Sequence, residues 1–151
     1  MTPEEISEEP RMIEGSAAYD DRGSVIFFNQ FNMQGIKRCY QVENISKEVI
    51  RAFHGHLQEE KYIYVTKGCA KIVCAKIEAG NMLAPPYLFL LNSKKPVILK
   101  IPKGYANGLK SLEENTAVIF LSTSTLEESK QDDLRFAWNY FGNDIWETKN
   151  R

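Results

Sequence analysis

The stretch RAFHGHLQEEKYIYV occupies residues 51–65 and contains both histidines of the chain. A run rich in apolar and aromatic residues leads into the charged segment LQEEK, and a second such run follows it, which is the pattern of two strands joined by a turn. Side chains two residues apart in a strand point to the same face. The stretch therefore predicts that His54 and His56 stand side by side on one face of a sheet, with Ala52 next to them.

Similar runs of apolar and aromatic residues recur along the rest of the chain at intervals of about ten residues, and each run ends at Gly, Pro, Asn or a charge cluster. In the segment YIYVT, strict alternation places Tyr62 and Tyr64 on one face and Ile63 and Val65 on the other. Such spacing predicts an all-β sandwich or barrel rather than alternating βαβ units. The predicted strands are 24–29, 37–43, 49–56, 61–66, 70–77, 87–91, 97–101, 108–112 and 116–122.

The residue pattern changes after Thr125, where the segment LEESKQDDLRFAWNY is first charged and then aromatic. This pattern predicts a short helix or an irregular tail that packs its aromatic residues on the sheets. At 151 residues and 17.3 kDa the chain is expected to form one domain over residues 1–151, in which the acidic residues 1–20 are an N-terminal arm.

Charge and composition narrow the range of partners. A net charge of −1 gives no electrostatic case for nucleic acid or an anionic membrane surface. The apolar run at 87–91 is far shorter than a bilayer span, and the N-terminus lacks the order of a secretory signal. Three cysteines without metal-type spacing fit reduced thiols better than a disulfide framework, so we expect a cytoplasmic protein.

The histidine pair offers acid–base chemistry. An imidazole titrates near pH 6.5, so two neighbours in a cleft can serve as base and acid close to neutral pH. Alternation places Arg38 and Tyr40 on one face of their strand, which offers a fixed positive charge and a phenol. Arg51 should point away from the histidine face unless a bulge redirects it.

One interpretation of the pair is a metal site, because neighbouring histidines followed by a carboxylate can bind a divalent ion. The spacing His54-x-His56-x-x-x-Glu60 resembles the first motif of metal-binding cupins, which are small double-stranded β-helix barrels. The segment PKGYAN at 102–107 resembles their second motif, but Asn107 stands where the third histidine ligand should be. An amide oxygen is a poorer ligand than imidazole, so the sequence favours a site without a metal.

From residue 21 to 146 the chain resembles the sugar-nucleotide branch of the cupins. These are the dTDP-4-dehydrorhamnose 3,5-epimerases and the related dTDP-4-keto-6-deoxyglucose 3,4-ketoisomerases. The motifs that carry the resemblance are Asp21-Arg22-Gly23 for DxRG, Lys37-Arg38-Cys39-Tyr40 for KRxY, Asn44-Ile45-Ser46 for NxS and Arg51-Ala52-Phe53-His54 for RGxH.

Departures from the motifs favour the ketoisomerases. The epimerases carry a tyrosine that acts as the general acid in the strand after the Pro-Gly motif, where this chain has VIFL with Phe120. They also carry a carboxylate partner of the histidine near the C-terminal aromatic cluster, where this chain has Asn139 and Tyr140. The ketoisomerases have a second histidine two residues after the first, and His56 matches this pattern. The tail and Lys61 look more like the epimerases, and Ala52 replaces the glycine of both.

The resemblance implies a cupin-type double-stranded β-helix, or jelly-roll sandwich, that acts on a nucleotide-diphospho-4-keto-6-deoxyhexose as a 3,4-ketoisomerase. No redox cofactor is expected, because the hydrogen moves as a proton within one molecule, and no metal is expected, because Asn107 stands in place of the third histidine ligand. The alternatives are a 3- or 3,5-epimerase, a metal-dependent cupin, or a binding module without activity. A homodimer that buries its N-terminal region is also expected.

The implied site has a role for each group. His54 is the base, His56 the relay, and Tyr40 or Lys61 the stabiliser of the enolate oxygen. The substrate-binding residues are the three arginines suited to a diphosphate and one amide: Arg22, Arg38, Arg51 and Asn107.

Other residues have ordinary structural interpretations. Aromatic residues in strands, such as Tyr62 and Tyr64, belong more often to the core than to base-stacking platforms. Glu59 and Glu60 follow the histidines at an expected turn, where carboxylates are usually solvated. Asn107-Gly108 is first of all a turn signal.

Overall fold

The computed structural model describes residues 8–151, which form thirteen strands, one α-helix and one 3₁₀ helix. The helices are α1 at Leu126–Gln131 and the 3₁₀ helix at Asp144–Trp146. The strands are β1 Arg11–Glu14, β2 Ser16–Asp20, β3 Gly23–Phe27, β4 Arg38–Glu43, β5 Ile50–His56, β6 Lys61–Lys67, β7 Cys69–Glu78, β8 Met82–Leu83, β9 Tyr87–Asn92, β10 Val97–Ile101, β11 Tyr105–Ser111, β12 Ala117–Ser122 and β13 Leu134–Arg135.

Two antiparallel sheets form the sandwich. The first has the order β1-β10-β6-β12-β4, and the second has the order β13-β5-β11-β7-β8, with β9 paired to β7. Strands β2 and β3 form a separate hairpin. The chain crosses repeatedly between the two sheets, as in the jelly-roll sandwich that the sequence predicts. Among residues 8–151, no helix has the length and hydropathy that a bilayer crossing requires.

The main core lies between the two sheets. Ile63 and Val65 of β6 are 0% and 3% exposed and point into it, which confirms the predicted alternation. Tyr62 and Tyr64 lie on the opposite face, where Phe31 and Phe28 respectively pack edge-on against them. Both tyrosine rings therefore pack against aromatic residues of the same chain.

A second core covers the outer face of the β5-β11-β7 sheet. Val73 and Ala75 of β7 point to this side and pack with Phe53 and Trp146. The Trp146 indole is 1% exposed, and its Nε1 donates to the carbonyl oxygen of Trp138 at 2.9 Å. The C-terminal tail therefore packs its aromatic residues on a sheet, as its sequence predicts.

The tail also contains the predicted short helix. Thr125 caps α1 through a capping box, in which its hydroxyl accepts from the Glu128 N–H and the Glu128 carboxylate accepts from the Thr125 N–H. After α1, the two residues of β13 pair with β5. This pairing brings the end of the helix to the strand that carries both histidines.

Each predicted strand is present, but the interpretation of Asn107-Gly108 as a turn is wrong. Both residues lie inside β11, between β5 and β7. Gly108 occurs there for a packing reason, because a Cβ at this position would lie 2.4 Å from the Cβ of Ala52. Strands β1, β2, β8 and β13 were not predicted, and all but β2 have four residues or fewer.

The N-terminal region contains both paired and exposed strands. Residues 11–14 pair with β10 at the edge of the first sheet, whereas the β2–β3 hairpin leaves Tyr19 75% and Val25 64% exposed. The first seven residues of the expected N-terminal arm lie outside the described part of the chain.

Candidate active site

A cavity of about 580 Å³ opens at one end of the sandwich between the two sheets. Strands β4, β6 and β12 form one wall and β5 and β11 form the other, while α1 and β13 border the opening. The cavity is lined by Arg38, Tyr40, Val42, Ile50, Arg51, Ala52, His54, His56, Lys61, Asn107, Leu109, Phe120, Leu126, Ser129, Lys130, Asp133 and Arg135.

Both histidines face this cavity from β5. His54 is paired with Asn107 and His56 with Tyr105 in the neighbouring strand β11. Asn107 is 6% exposed and contributes its amide to the same wall. The spacing of two residues thus places the imidazoles on one face, and that face is the interior of the cavity.

Arg51 faces the cavity as well, because β5 has an irregular register. Between the pairs His54–Asn107 and Arg51–Leu109, β5 contains two residues where β11 contains only Gly108. The extra residue is a bulge, which reverses the alternation. Asn44 holds the redirected side chain, since its Oδ1 accepts from Arg51 Nε at 2.6 Å.

His56 has the more enclosed environment of the two histidines, at 5% exposed. Its Nδ1 lies 2.5 Å from the carbonyl oxygen of Asp132 and 3.1 Å from Oε2 of Glu59. Burial lowers the pKa of His56, and Lys61 lowers it further, whereas Glu59 and the Asp132 carbonyl raise it. The net direction is downward, so the ring is neutral at pH 7 and can accept a proton.

His54 is the less buried of the two histidines. Burial is the first cause that lowers its pKa, and the positive charges of Arg135 and Lys61 lower it further, against the opposing charge of Asp133. Arg135 is its pairing partner in β13. His54 is therefore also a neutral imidazole at pH 7, in the protonation state that a general base requires.

The interpretation of Glu59 as a solvated carboxylate is wrong. Its side chain is fully buried behind the histidines and contacts Arg38, His56, Ser122 and Ser129. These partners belong to β4, β5, β12 and α1, so they cannot be read from the local sequence.

Glu60 points elsewhere. Its Oε2 lies 3.3 Å from Lys100 Nζ in an ion pair, and its side chain is about a quarter exposed, at 26%. The carboxylate that the metal interpretation requires is therefore absent from the cavity wall. Within residues 8–151, no three His, Cys, Asp or Glu side chains come together as a metal site.

Tyr40, Lys61 and Phe120 form the wall opposite the histidines. The rings of Tyr40 and Phe120 stack with centroids 5.1 Å apart, and the Arg38 guanidinium lies 5.1 Å from the Tyr40 ring. Burial, followed by the charge of Glu59, raises the pKa of Tyr40 to about 12. Burial lowers the pKa of Lys61. At neutral pH, Tyr40 is therefore a proton donor and not a phenolate.

The cavity has a strongly positive lining although the whole chain has a net charge of −1. Among residues 8–151, one carboxylate, Asp133, lines it together with five basic side chains, which are those of Arg38, Arg51, Lys61, Lys130 and Arg135. Such a concentration of cations in a concave site attracts an anionic ligand. Lys130, Asp133 and Arg135 were not predicted, because only the pairing of β13 with β5 brings the charged tail to the cavity.

Arg22 is the one predicted site residue that lies outside the cavity lining. It sits at the turn of the β2–β3 hairpin, where its Nη2 forms an ion pair with Asp20 at 2.5 Å, and its side chain is 86% exposed. Within a single chain, Arg22 is not assembled with the other arginines.

Comparison with known families agrees with this geometry. The sequence model of the family described as dTDP-4-dehydrorhamnose 3,5-epimerase matches residues 7–146. The chain belongs to this family. The resemblance that the short motifs indicate is confirmed over nearly the whole chain.

Solved structures of both branches share the fold. A dTDP-4-dehydrorhamnose 3,5-epimerase from Bacillus anthracis, solved with TDP and PPi bound, is similar with a TM-score of 0.73 and 20% identity over 87% of this chain and 80% of that chain. A 3,4-ketoisomerase from Helicobacter canadensis gives 0.69 and 20% over 85% of this chain and 91% of that chain. These similarities confirm the cupin-type jelly-roll sandwich.

A curated relative is the spore coat polysaccharide biosynthesis protein SpsL of Bacillus subtilis strain 168. It is 27% identical over 93 residues, which are 60% of this chain and 62% of the relative. The match therefore spans about three-fifths of that protein's length.

Proposed function

We propose that the protein is a sugar-nucleotide isomerase that converts a nucleotide-diphospho-4-keto-6-deoxyhexose into its 3-keto isomer without a metal. The observation that carries the proposal is the placement of His54 and His56 on the same wall of one cationic cavity. A proton must leave one ring carbon and return to its neighbour, and two neutral imidazoles on one wall provide both transfers.

The proposed reaction balances as an internal proton transfer. His54 removes the proton from C3, the electrons of the C3–H bond form a C3–C4 double bond, and the C4 carbonyl oxygen becomes the enediolate oxygen. The proton gained by His54 passes to Nε2 of His56, directly or through water. His56 then delivers it to C4 while the O3 proton moves to O4 and the C3 carbonyl forms, so both imidazoles end neutral. No electron is gained or lost overall, so the reaction consumes no redox cofactor.

We assign the stabilisation of the enediolate to Tyr40 and Lys61. Both line the wall opposite β5, and both carry a hydrogen-bond donor at neutral pH. A donor aimed at the oxygen on which charge develops lowers the barrier, and its effect is larger in a cavity that excludes water.

The diphosphate is expected at the opening of the cavity. Arg51, Lys130 and Arg135 line the cavity and are exposed, and Asn44 accepts a hydrogen bond from the Arg51 guanidinium. A planar guanidinium matches phosphate oxygens through two parallel hydrogen bonds. Arg38 is 21% exposed and pairs with the fully buried Glu59, so we assign it to the wall beside Tyr40 rather than to the diphosphate. Arg135 also pairs with a carboxylate, that of Asp133, but its side chain is 70% exposed and accessible to a ligand.

The second candidate is a 3- or 3,5-epimerase of the same substrate class, which the matching family description favours. Phe120 argues against it. In the epimerases that the chain resembles, a tyrosine acid stands in this strand, whereas here Phe120 stacks on Tyr40 and has no proton to give.

Product analysis separates the two candidates. The purified protein is incubated with dTDP-4-keto-6-deoxyglucose, and the sugar is followed by NMR. A 3-keto product supports the ketoisomerase, a 4-keto product inverted at C3 or C5 supports the epimerase, and an unchanged sugar contradicts both.

We also propose a homodimer that buries the β2–β3 hairpin. An isolated two-stranded hairpin is marginally stable in water, and this hairpin exposes Tyr19, Val25 and Ile26. A second copy would cover these side chains. Arg22 keeps its expected role with the diphosphate only if the hairpin reaches the cavity of the second copy, so Arg22→Gln should weaken TDP binding in the dimer.

A further inference from the structure

Glu59 contributes a buried carboxylate at the base of the cavity, and each of its oxygens has two partners. Oε1 accepts from Arg38 Nη2 at 2.9 Å and from the Ser122 hydroxyl. Oε2 accepts from the Ser129 hydroxyl at 3.1 Å and lies 3.1 Å from His56 Nδ1. A buried charge of this kind is weak support for stability, because its desolvation opposes the attraction. The contacts of Glu59 with His56 and Arg38 instead indicate a role in the site.

The two groups that face His56 Nδ1 are both acceptors. One is Oε2 of Glu59 and the other is the carbonyl oxygen of Asp132. Nδ1 must therefore carry the hydrogen in the neutral ring, which leaves the lone pair on Nε2. The ring nitrogen opposite this pair of acceptors is the one available to a substrate proton.

We propose that Glu59 is a positioning residue that fixes His56 as the Nδ1–H tautomer and keeps the Arg38 guanidinium beside Tyr40. The role in catalysis rests on the proposed isomerase function, but the tautomer and the ring orientation do not. Glu59 acts through His56 and Arg38, since it does not line the cavity itself.

The same carboxylate connects the two walls of the cavity. It binds Arg38 of the wall that carries Tyr40, and it lies against His56 of the opposite wall. Without the carboxylate, the charge of Arg38 would be unpaired close to an imidazole that must accept a proton. Glu59 therefore favours the protonated form of His56 both by its own charge and by neutralising Arg38.

The charged groups around His56 set the direction of the expected shift. Burial and the charge of Lys61 lower the pKa of His56, whereas Glu59 and the carbonyl and carboxylate of Asp132 raise it. Glu59→Gln removes one favourable charge and leaves Arg38 unpaired, so the pKa of His56 should fall. An opposite charge at this distance typically changes a pKa by about one unit or more.

The test is an NMR titration of the imidazoles, which this chain makes simple because it has only two histidines. Long-range ¹H–¹⁵N spectra distinguish the two ring nitrogens, and His54→Asn assigns the signals. In the unaltered protein, His56 should be the Nδ1–H tautomer at pH 7.5. In Glu59→Gln its midpoint should fall by about one pH unit, and the low-pH limb of kcat/KM should move in the same direction.

Glu60→Gln is the matched control, because Glu60 is the adjacent carboxylate but pairs with Lys100 on another side. It should leave both histidine midpoints unchanged. If Glu59→Gln does not fold, Glu59→Asp reads out the same contact, because the shorter side chain withdraws the carboxylate from Nδ1 and should lower the midpoint by a smaller amount.

An unchanged His56 midpoint in the folded Glu59 variant, or an equal change in Glu60→Gln, would overturn the proposal. The titration needs no substrate. A lowered midpoint in a protein that shows no isomerase activity would therefore refute the proposed function while supporting the positioning role of Glu59.

Discussion

The contact between Gly108 and the bulge of β5 gives a quantitative prediction. A Cβ at position 108 would lie 2.4 Å from Ala52 Cβ, 2.9 Å from Trp146 Cη2 and 3.2 Å from Ala52 Cα. Carbon atoms pack at roughly 3.5–4.0 Å, so Gly108→Ala forces β5 and β11 apart by about 1 Å or moves the indole. Overpacking of this size typically costs about 1–3 kcal/mol. We expect the free energy of unfolding to fall by about 2 kcal/mol.

Thermal and urea denaturation measure this effect. For a chain of this length, a loss of about 2 kcal/mol corresponds to a lowering of Tm by roughly 4–8 °C. The matched variant is Ala52→Gly in the Gly108→Ala background, because it removes the shortest contact and should restore part of the loss. The reasoning is refuted if Gly108→Ala changes stability by less than about 0.5 kcal/mol, or if the double variant is no more stable than the single one.

Three further predictions concern binding, pH and assembly. Arg51→Gln should weaken TDP binding by roughly 10- to 100-fold in calorimetry, because a charged hydrogen bond is lost. Equal affinities of the variant and the unaltered protein for TDP would exclude Arg51 from the diphosphate site. Because burial lowers the pKa of both histidines, the low-pH limb of kcat/KM should be centred below pH 6.5, and a limb centred above 6.5 would contradict the site. Light scattering should give twice the chain mass of 17.3 kDa, and a monomer at micromolar concentration would contradict the dimer.

The sequence predicts the sheets well because strand signals are local. Alternation in β6 and the spacing of the turns follow from the side-chain periodicity of two, so both survive in the structure. The same rule places His54 and His56 on one face. It fails for Arg51, because a bulge changes the alternation and depends on how β5 meets β11.

Glu59 was missed because burial of a charge is a property of the tertiary structure. Two consecutive glutamates after a strand indicate a solvated turn. Glu59 is buried only because β12 and α1 pack against this segment. The serines that bind it are 63 and 70 residues further along the chain. The prediction of a turn at Asn107-Gly108 failed for a related reason. The glycine is needed there because a Cβ would clash with the bulge of β5, and it does not form a turn.

Deuterium exchange into the sugar tests the central claim most directly. A 4-keto-6-deoxyhexose nucleotide is incubated in deuterated water with the unaltered protein, with His54→Asn or with His56→Asn, and the label at C3, C4 and C5 is followed by NMR. The account predicts that His54→Asn abolishes exchange at C3, with loss of the roughly 10²–10⁴-fold contribution of a positioned base. His56→Asn should retain exchange at C3 but suppress the 3-keto product. Full turnover by both variants would contradict the claim, because neither histidine would then be catalytic.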